Sequence, residues 1–292
     1  MKRVGIFVPP RWAAASQLAE EVQRFLAGRV DEVWKTFSYE DSTTPERVPG
    51  TDLMICLGGD GSMLWAARAV VPHPIPILGV NMGRLGFLAE LRPQDLLARL
   101  PEVLEGRGRI EQRAMLQAQV PAWGLTFHAL NDVVLGRQAA GRPVYVDVSI
   151  DGTHVALFRC DAVIVATATG STAYSLSAGG PILSPESKEM VFAAVAPHIT
   201  AARPLVLPSN AVVDLSVSTD IEAVVSVDGQ VDRVLSSGDS VSVCQSPHVA
   251  RFVRFSEPSD FYSTVAERLD WLRGARAANY RELFERPGGT PK

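Results

Sequence analysis

One short stretch, an apolar strand that ends in a glycine-rich turn, most constrains the fold of this chain. Residues 53–57 are five apolar residues in a row, which predicts a fully buried strand. Residues 58–61 read Gly-Gly-Asp-Gly, and residues 61–70 then place Met63, Ala67 and Val70 on one helical face. Strand, glycine turn and helix in this order predict a doubly wound sheet, with the turn at the sheet edge where ligands bind.

The chemistry of this turn suits a phosphate. Glycines let backbone N–H groups approach a phosphate at a helix N-terminus, and Asp60 adds a carboxylate beside it. The turn is not a Walker A loop, because no Lys-Ser/Thr pair follows, and it is not a G-x-G-x-x-G fingerprint. An acid beside a polyphosphate is one interpretation, and an Asp-Gly turn with a helix cap is the other.

Hydrophobic periodicity divides the chain into three parts. Residues 1–108 alternate strands and helices, which predicts a doubly wound, Rossmann-like α/β domain. Residues 109–258 predict a β-rich, sandwich-like domain, and residues 259–292 predict a helix over 261–272 that returns to the first domain, then a frayed tail. Within the second domain the patterns predict a helix over 187–196 and strands over 115–120, 127–135, 144–150, 155–158, 162–166, 212–217, 223–227, 240–243 and 249–255.

Composition excludes several classes of protein. A formal net charge of -4 argues against a nucleic-acid binder, and the five histidines lack metal-ligand spacing, so no metal site on the protein is predicted. No apolar run reaches the ~18 residues of a membrane span, and the N-terminus lacks a signal peptide pattern. The three cysteines lie far apart in apolar stretches, which is typical of buried free thiols in a reducing compartment. These features predict a cytoplasmic protein without a membrane partner.

Residues 159–182 form the richest polar stretch of the second domain. A strand there ends in small hydroxyl residues and glycines, with Tyr174 and Ser177 one helical turn apart. Small residues let a flat ligand approach the backbone, and a tyrosine can stack on it. A serine- and threonine-rich loop with a helix cap is the simpler interpretation. A nucleophilic Ser171 is disfavoured, because Gly-Ser-Thr-Ala does not match G-x-S-x-G.

Taken together, the two stretches resemble the NAD kinases of the bacterial type. The motifs that carry the resemblance are residues 58–61, 131–132, 169–174 and 177–182, and it also includes residues 79–87, 197–205 and 228–230. Lipid kinases and phosphofructokinases share Gly-Gly-Asp-Gly, whereas Thr-Gly-Ser-Thr-Ala-Tyr is specific. The resemblance implies a phosphofructokinase-like first domain. It also implies phosphoryl transfer from ATP, or in some members another nucleoside triphosphate or polyphosphate, to the 2′-hydroxyl of the adenosine ribose of NAD.

The resemblance also implies a set of site residues. Asp60 matches the family's catalytic aspartate, which would take the proton of the attacking hydroxyl as general base. The matched substrate- and nucleotide-binding residues are Gly58, Gly59, Gly61, Phe87, Asn131, Asp132, Arg142, Arg159, Asp161, Thr172, Ala173, Tyr174, Ser177, Asp228 and Gln230.

Several of these matches carry a distinct role in the resemblance. The three glycines would hold phosphates, and residues 172–174 and 177 would line the dinucleotide. Asn131 and Asp132 match residues that bind ribose hydroxyls, and Phe87 matches an aromatic residue that covers the adenine. Arg159 and Asp161 match a charged pair beside the nicotinamide half.

Three further matches have a plainer alternative. Arg142 matches a basic residue near the phosphates, and a solvated surface arginine is the alternative. Asp228 and Gln230 match a motif near the substrate across a subunit boundary. A hairpin turn explains Asp228 with the glycine after it but leaves Gln230 unexplained.

The resemblance implies Mg²⁺ bound with ATP, without protein ligands that the sequence can assign, and a homo-oligomer, either dimer or tetramer. Two other functions stay open. A lipid-type kinase would share the Gly-Gly-Asp-Gly domain but would not be expected to carry residues 169–174. A non-catalytic dinucleotide sensor would use the same pocket without turnover, and the presence of Asp60 counts against it.

Overall fold

The computed structural model describes residues 1–10, 12–37, 42–83, 86–138, 142–198, 202–218 and 222–269. The strands in these ranges are β1 (Arg3–Phe7), β2 (Glu32–Thr36), β3 (Leu53–Gly58), β4 (Pro76–Asn81), β5 (Arg109–Val120), β6 (Leu125–Ala129), β7 (Asp132–Arg137), β8 (Val144–Ile150), β9 (Thr153–Cys160), β10 (Ala162–Ala166), β11 (Met190–Val195), β12 (Leu205–Leu207), β13 (Val213–Val217), β14 (Ala223–Val227), β15 (Val231–Leu235) and β16 (Ser240–Arg254). The helices are α1 (Ala13–Leu26), α2 (Thr44–Arg47), α3 (Asp60–Val70), α4 (Pro93–Leu104), α5 (Tyr174–Ser177) and α6 (Asp260–Arg268), with 3-10 turns at Pro121–Trp123 and Gly170–Thr172.

The first four strands form the parallel start of a large sheet, in the order β2-β1-β3-β4. Strand β3 is buried on both faces, as its continuous apolar run predicts. Its residues Leu53, Ile55 and Leu57 join a core cluster with α1 and α4, whereas Met54 and Cys56 join a second cluster with α3. Helices therefore cover both faces of this sheet, and the predicted doubly wound arrangement is confirmed.

Strand β16 joins the parallel strands to the β-rich half of the protein. It pairs in parallel with β4 and antiparallel with β5 and β13, so the first sheet has ten strands. A second, antiparallel sheet has the order β12-β11-β10-β7-β14-β15. Apolar side chains from both sheets, such as Val146, Leu215 and Val163, share one core cluster, which confirms the predicted sandwich.

The chain forms two compact units. Residues 1–255 form one unit, and residues 256–292 form another, in which α6 is the described helix. The boundary at 108/109 and the return of the C-terminal helix to the first domain stay predictions. The predicted end of this helix at residue 272 and the frayed tail lie outside the described residues. No helix in the described ranges has the length and apolar character to cross a membrane.

The predicted helix over 187–196 is wrong. Residues Met190–Val195 form strand β11, which pairs antiparallel with β10 and β12 and has its first four residues buried. The predicted strand over 127–135 is divided into β6 and β7 by a turn at Leu130 and Asn131, and the strands predicted over 240–243 and 249–255 are one long strand, β16. Strands β12 and β15 were not predicted.

The three cysteines are free thiols, as predicted. Cys56 and Cys160 are buried, and Cys244 is half-buried. Burial raises the pKa of Cys56, and it raises the pKa of Cys160 to about 12, so these thiols stay protonated at neutral pH.

Candidate active site

The glycine-rich turn connects β3 to α3 and places Asp60 at the start of the helix. The first helical hydrogen bonds run from the N–H groups of Ser62 and Met63 to the carbonyl of Gly59, at 2.9 and 3.2 Å. The N–H groups of residues 59–61 therefore have no helical partner and remain suited to an anion. Asp60 is the first residue of α3 and is half-buried.

A second glycine segment fixes the Asp60 carboxylate from the other side. The N–H of Phe87 donates to Asp60 Oδ2 at 2.7 Å, and the N–H of Leu88 donates to Oδ1 at 3.1 Å. A Cβ atom at Gly86 would lie 1.8 Å from Asp60 Oδ1, so only glycine permits this approach. The structure thus places the predicted Phe87 beside Asp60 through its backbone. Leu85, which the resemblance also includes, lies outside the described residues.

The turn between β6 and β7 is organised by the buried carboxylate of Asp228. This carboxylate accepts the N–H groups of Leu130 at 2.9 Å, Asn131 at 2.7 Å and Asp132 at 3.2 Å. Asp228 belongs to the turn after β14 and has a positive φ of 54°. Asp228 therefore supports the predicted ribose-binding pair indirectly, because its carboxylate fixes the backbone that carries Asn131 and Asp132.

Two carboxylates lie close together in this buried turn. Asp132 is 6% exposed and Asp228 is 7% exposed. Burial, and secondarily the charge of Asp228, raises the pKa of Asp132 to about 7. Burial also raises the pKa of Asp228, although the three N–H groups and the charge of Arg68 act in the opposite direction. The pair therefore holds a carboxyl group that changes its charge near neutral pH.

Gln230 connects the turn after β14 to the first turn of α3. Its Nε2 donates to the carbonyl of Gly61 at 2.6 Å, and its Oε1 accepts from Arg68 Nη2 at 2.7 Å. Arg68 also reaches the carbonyl of Val227, at 3.5 Å. These contacts lie within one chain and explain Gln230, which the hairpin interpretation leaves without a role. Its position across a subunit boundary stays a prediction.

The polar loop after β10 lies against the backbone of Asn131. The N–H of Thr167 donates to the carbonyl of Asn131 at 2.8 Å, and Thr167 Oγ1 donates to the carbonyl of Leu130 at 2.6 Å. A Cβ atom at Gly170 would lie 2.1 Å from the Asn131 carbonyl oxygen, so this contact also requires glycine. The two predicted stretches are therefore adjacent in space.

Within this loop, Ser171 is bonded inside the loop, whereas the predicted dinucleotide-lining residues are half-buried or exposed. Ser171 is buried, donates to the carbonyl of Ala168 at 2.6 Å and accepts the N–H of Leu183 at 3.0 Å. These bonds explain Ser171 as a loop residue. Among the predicted dinucleotide-lining residues, Thr172 and Ala173 are half-buried, and Tyr174 and Ser177 are exposed.

A cavity of about 230 Å³ lies beside Ser177. Most of its lining residues are of apolar types, including Phe158, Phe192, Ala196 and Pro197. Such a cavity accommodates a flat ring next to a few polar groups. Phe192 and Ala196 are lining residues that the sequence did not identify, because residues 187–196 carry no polar motif and were predicted as a helix.

Asp161 forms an ion pair with a different arginine from the one that the resemblance implies. Arg137 Nη2 lies 3.1 Å from Asp161 Oδ2. Arg159 is exposed and its guanidinium lies 5.9 Å from the ring centre of Tyr145. The strand register explains the difference, since the end of β7 lies beside the start of β10. Arg142 is exposed, and no hydrogen bond or ion pair joins its side chain to the other described site residues.

Family models and related proteins match most of the chain. A family model of the ATP-NAD kinase N-terminal domain matches residues 29–108, and a model of the C-terminal domain matches residues 130–255. An NAD kinase of Dehalococcoides mccartyi is 36% identical over 272 residues, which cover 92% of this chain and 96% of the relative. An NAD kinase of Chloroflexus aurantiacus is 39% identical over 272 residues, which cover 92% of this chain and 99% of the relative.

Two solved structures share the fold. Yeast NADH kinase complexed with NADH superposes with a TM-score of 0.76 and 24% identity, covering 100% of this chain and 90% of that one. An NAD kinase of Archaeoglobus fulgidus in complex with ATP gives a TM-score of 0.73 and 24% identity, covering 88% of this chain and 95% of that one.

Proposed function

The chain belongs to the NAD kinase family, and we propose that it transfers the terminal phosphoryl group of ATP to the 2′-hydroxyl of the adenosine ribose of NAD, with Asp60 as general base. The observation that carries this proposal is the Asp60 carboxylate, oriented by two backbone N–H groups at the start of α3. As the ribose oxygen attacks the γ-phosphorus, the bond to the β-γ bridging oxygen breaks and Asp60 accepts the hydroxyl proton. The products are NADP and ADP.

The turn around Asp60 supports phosphate binding next to the base. The N–H groups of residues 59–61 precede the first helical bond of α3, and they face the developing charge that phosphoryl transfer spreads over the phosphate oxygens. Mg²⁺ would enter with ATP, because this ion keeps several waters and is bound largely through substrate phosphates. Bound with ATP, Mg²⁺ would neutralise phosphate charge; the N–H groups of residues 59–61 would hold the phosphates, and Asp60 would accept the hydroxyl proton.

The adjacent turn and loop support binding of the dinucleotide. Asn131 and Asp132 offer an amide and a carboxyl group, the types that bond ribose hydroxyls. The cavity beside Ser177 and the exposed ring of Tyr174 offer surfaces for a planar group. The Arg137–Asp161 ion pair lies at the end of β7, the strand that starts with Asp132. We expect it to place charged groups beside the nicotinamide half of NAD.

The experiment that tests the proposal measures NADP with an NADP-specific dehydrogenase after incubation with NAD, ATP and Mg²⁺. Asp60→Asn should lower kcat by about 10²–10⁴-fold, the usual contribution of a general base, with the Kd of NAD changed less than twofold. Asp95→Asn is the matched control, since Asp95 also lies in the first turn of a helix but is exposed on α4. Unchanged turnover in Asp60→Asn would remove this residue as the base.

Parallel reactions separate the remaining alternatives. Polyphosphate or another nucleoside triphosphate in place of ATP, and NADH in place of NAD, define donor and acceptor breadth. No NADP from any donor, with NAD bound in calorimetry, would support the sensor function, and phosphorylation of lipid vesicles would support a lipid kinase. Light scattering after size exclusion tests the homo-oligomer that the family resemblance implies.

A further inference from the structure

Strand β5 carries an alternating charge pattern that the proposed reaction does not use. Arg109, Glu111 and Arg113 stand two residues apart, so their side chains share one face of the strand. Glu111 and Arg113 are 6% and 5% exposed, and Arg254 on the neighbouring strand β16 is 4% exposed. Charges are rarely buried to this degree unless they are paired, so each charge in this cluster is expected to have a partner of opposite charge.

Glu111 is the centre of the cluster. Its Oε1 accepts from Arg113 Nε at 2.5 Å and from Arg254 Nε and Nη2, both at 3.1 Å. Its Oε2 lies 3.5 Å from Arg109 Nη2. Burial raises the pKa of Glu111, but the charges of Arg254 and Arg113 outweigh burial and hold the pKa below its usual range. Glu111 is thus an ionised acceptor shared by three arginines.

One end of the cluster reaches the segment that holds Asp60. Arg254 Nη1 donates to the carbonyl of Leu88 at 2.7 Å, and the N–H of Leu88 donates to Asp60 Oδ1 at 3.1 Å. Arg254 Nη1 also lies 3.3 Å from Glu90 Oε2. The position of the Asp60 carboxylate is therefore connected to Glu111 through one residue, Leu88, and one guanidinium, that of Arg254.

The other end reaches the loops that follow β10. Arg113 Nη1 donates to Thr169 Oγ1 at 3.4 Å, and Thr169 directly precedes the turn Gly170–Thr172. Arg109 Nη1 pairs with Glu186 Oε1 at 2.8 Å, in the segment before β11. The face of β5 thus lies between the turn of Asp60 and the loops proposed to bind the dinucleotide.

We propose that Glu111 is a positioning residue, which sets the distance between Asp60 and the dinucleotide-binding loop through Arg254 and Arg113. This inference rests on the proposed function. Buried ion pairs contribute little net stability compared with apolar packing, because each charge loses its hydration, but they fix direction and distance. Phosphoryl transfer depends on such distances, since a displacement of about 1 Å at the reacting groups can cost about 10²-fold in rate.

The first test replaces Glu111 by glutamine in the full chain. Glu111→Gln keeps the shape but removes the charge that three arginines share, so the two segments lose their common anchor. We expect kcat per folded molecule to fall about 10²-fold while the Kd of NAD, measured by calorimetry, changes less than twofold. Glu102→Gln is the matched control, because it breaks a half-exposed Arg–Glu pair on α4 and should leave kcat unchanged.

A second variant keeps the test decisive if Glu111→Gln does not fold. Arg113→Lys retains the charge, but one ammonium cannot reproduce the fork that reaches both Glu111 and Thr169. We expect a fall in kcat of about tenfold or more with unchanged NAD affinity. Circular dichroism and Tm define the folded fraction in every variant.

The outcomes separate this inference from the proposed function. A wild-type chain that forms no NADP refutes the proposed function itself. A wild-type chain that forms NADP, with variants whose kcat per folded molecule stays within twofold despite a lower Tm, shows a purely structural role and overturns the inference. Equal losses in kcat and in NAD affinity also overturn it, because they indicate damage to binding.

Discussion

Replacing Asp132 with asparagine should stabilise the fold above neutral pH, because the Asp132 carboxylate is buried beside Asp228. The pKa of Asp132 is about 7 in the fold and 3.8 in an exposed chain. The native state therefore keeps the proton up to about pH 7, whereas the unfolded chain releases it near pH 3.8. Wild-type stability falls as pH rises through this window, with a total loss of about 4 kcal/mol by pH 8. Asparagine does not ionise, so the variant does not lose stability in this way as pH rises.

The assay is urea unfolding of wild type and Asp132→Asn at pH 5, 6, 7 and 8. The stability of the variant relative to wild type should grow by about 2–3 kcal/mol from pH 5 to pH 8, whatever constant cost the buried amide brings. Asp228 and Arg68 are present in both proteins, so their own titration largely cancels. Asp232→Asn, on an exposed position of β15, is the control and should show a flat difference. A difference for Asp132→Asn that is the same at pH 5 and pH 8 would refute the reasoning.

The same substitution should weaken the enzyme while it stabilises the fold. An ionised carboxylate accepts hydrogen bonds from both ribose hydroxyls, and bonds to charged groups are worth about 1.5–3 kcal/mol. We therefore expect the KM of NAD to rise by roughly 10- to 100-fold in Asp132→Asn. A KM within twofold of wild type would show that Asp132 does not contact the acceptor ribose.

Two further substitutions test the geometry around Asp60. Gly86→Ala places a Cβ atom 1.8 Å from Asp60 Oδ1, so the carboxylate must move, and we expect kcat to fall about 10²-fold at similar Tm, measured by steady-state kinetics and calorimetry. Gln230→Ala removes the bonds to Gly61 and Arg68; the expected cost is about 1–3 kcal/mol of unfolding free energy in urea, with a lower kcat because the first turn of α3 loses its support. Wild-type kcat in either variant would contradict this account.

The sequence predicts the parallel part of the fold and several antiparallel strands well, because their signals are local. The apolar run of β3 is buried on both faces, and the glycine turn after it starts α3 one residue before the predicted position. Strands β8, β10 and β14 match their predicted bounds, because a complete apolar or alternating run is closed by turn residues at each end. In the hairpin between β8 and β9, Asp151 and Gly152 both have positive φ, as an Asp-Gly pair in a two-residue hairpin turn predicts.

The errors occur where tertiary pairing decides the structure. Residues 187–196 contain alanine, methionine and glutamate, which favour a helix, but Met190–Val195 pairs with β10 and β12, and its first four residues are buried. Strand β15 has four residues that are exposed or partly exposed, so it lacks an apolar signal and forms only by pairing with β14. Neither β11 nor β15 can be predicted from its own residues without knowledge of the strands that pair with it.

The family motifs identify which residues belong to the site but not how they are held. Gln230 bonds to Gly61 across 169 positions of sequence, and Asp161 pairs with Arg137 rather than Arg159. Glu111 was not predicted, although Arg-x-Glu-x-Arg at a spacing of two residues is a visible signal for one face of a strand. That signal has no meaning until β16 brings Arg254 to the same face, and β16 pairs with β5 only in the folded sheet.

Glu111 and Asp132, both buried, oppose each other in the dependence of stability on pH. Arginines hold the pKa of Glu111 below its usual 4.5, so its contribution to stability is present above that pH and is lost as pH falls through the lowered pKa. Asp132 has a raised pKa, so its contribution is present at low pH and is lost as pH rises through about 7. With these two terms alone, stability falls from pH 5 to pH 8 across the urea series, because Glu111 already contributes fully above about pH 5 while Asp132 loses its contribution. An enzyme working above about pH 7 therefore ionises Asp132 at the expense of stability. The ionised carboxylate is the form that can accept hydrogen bonds from both ribose hydroxyls.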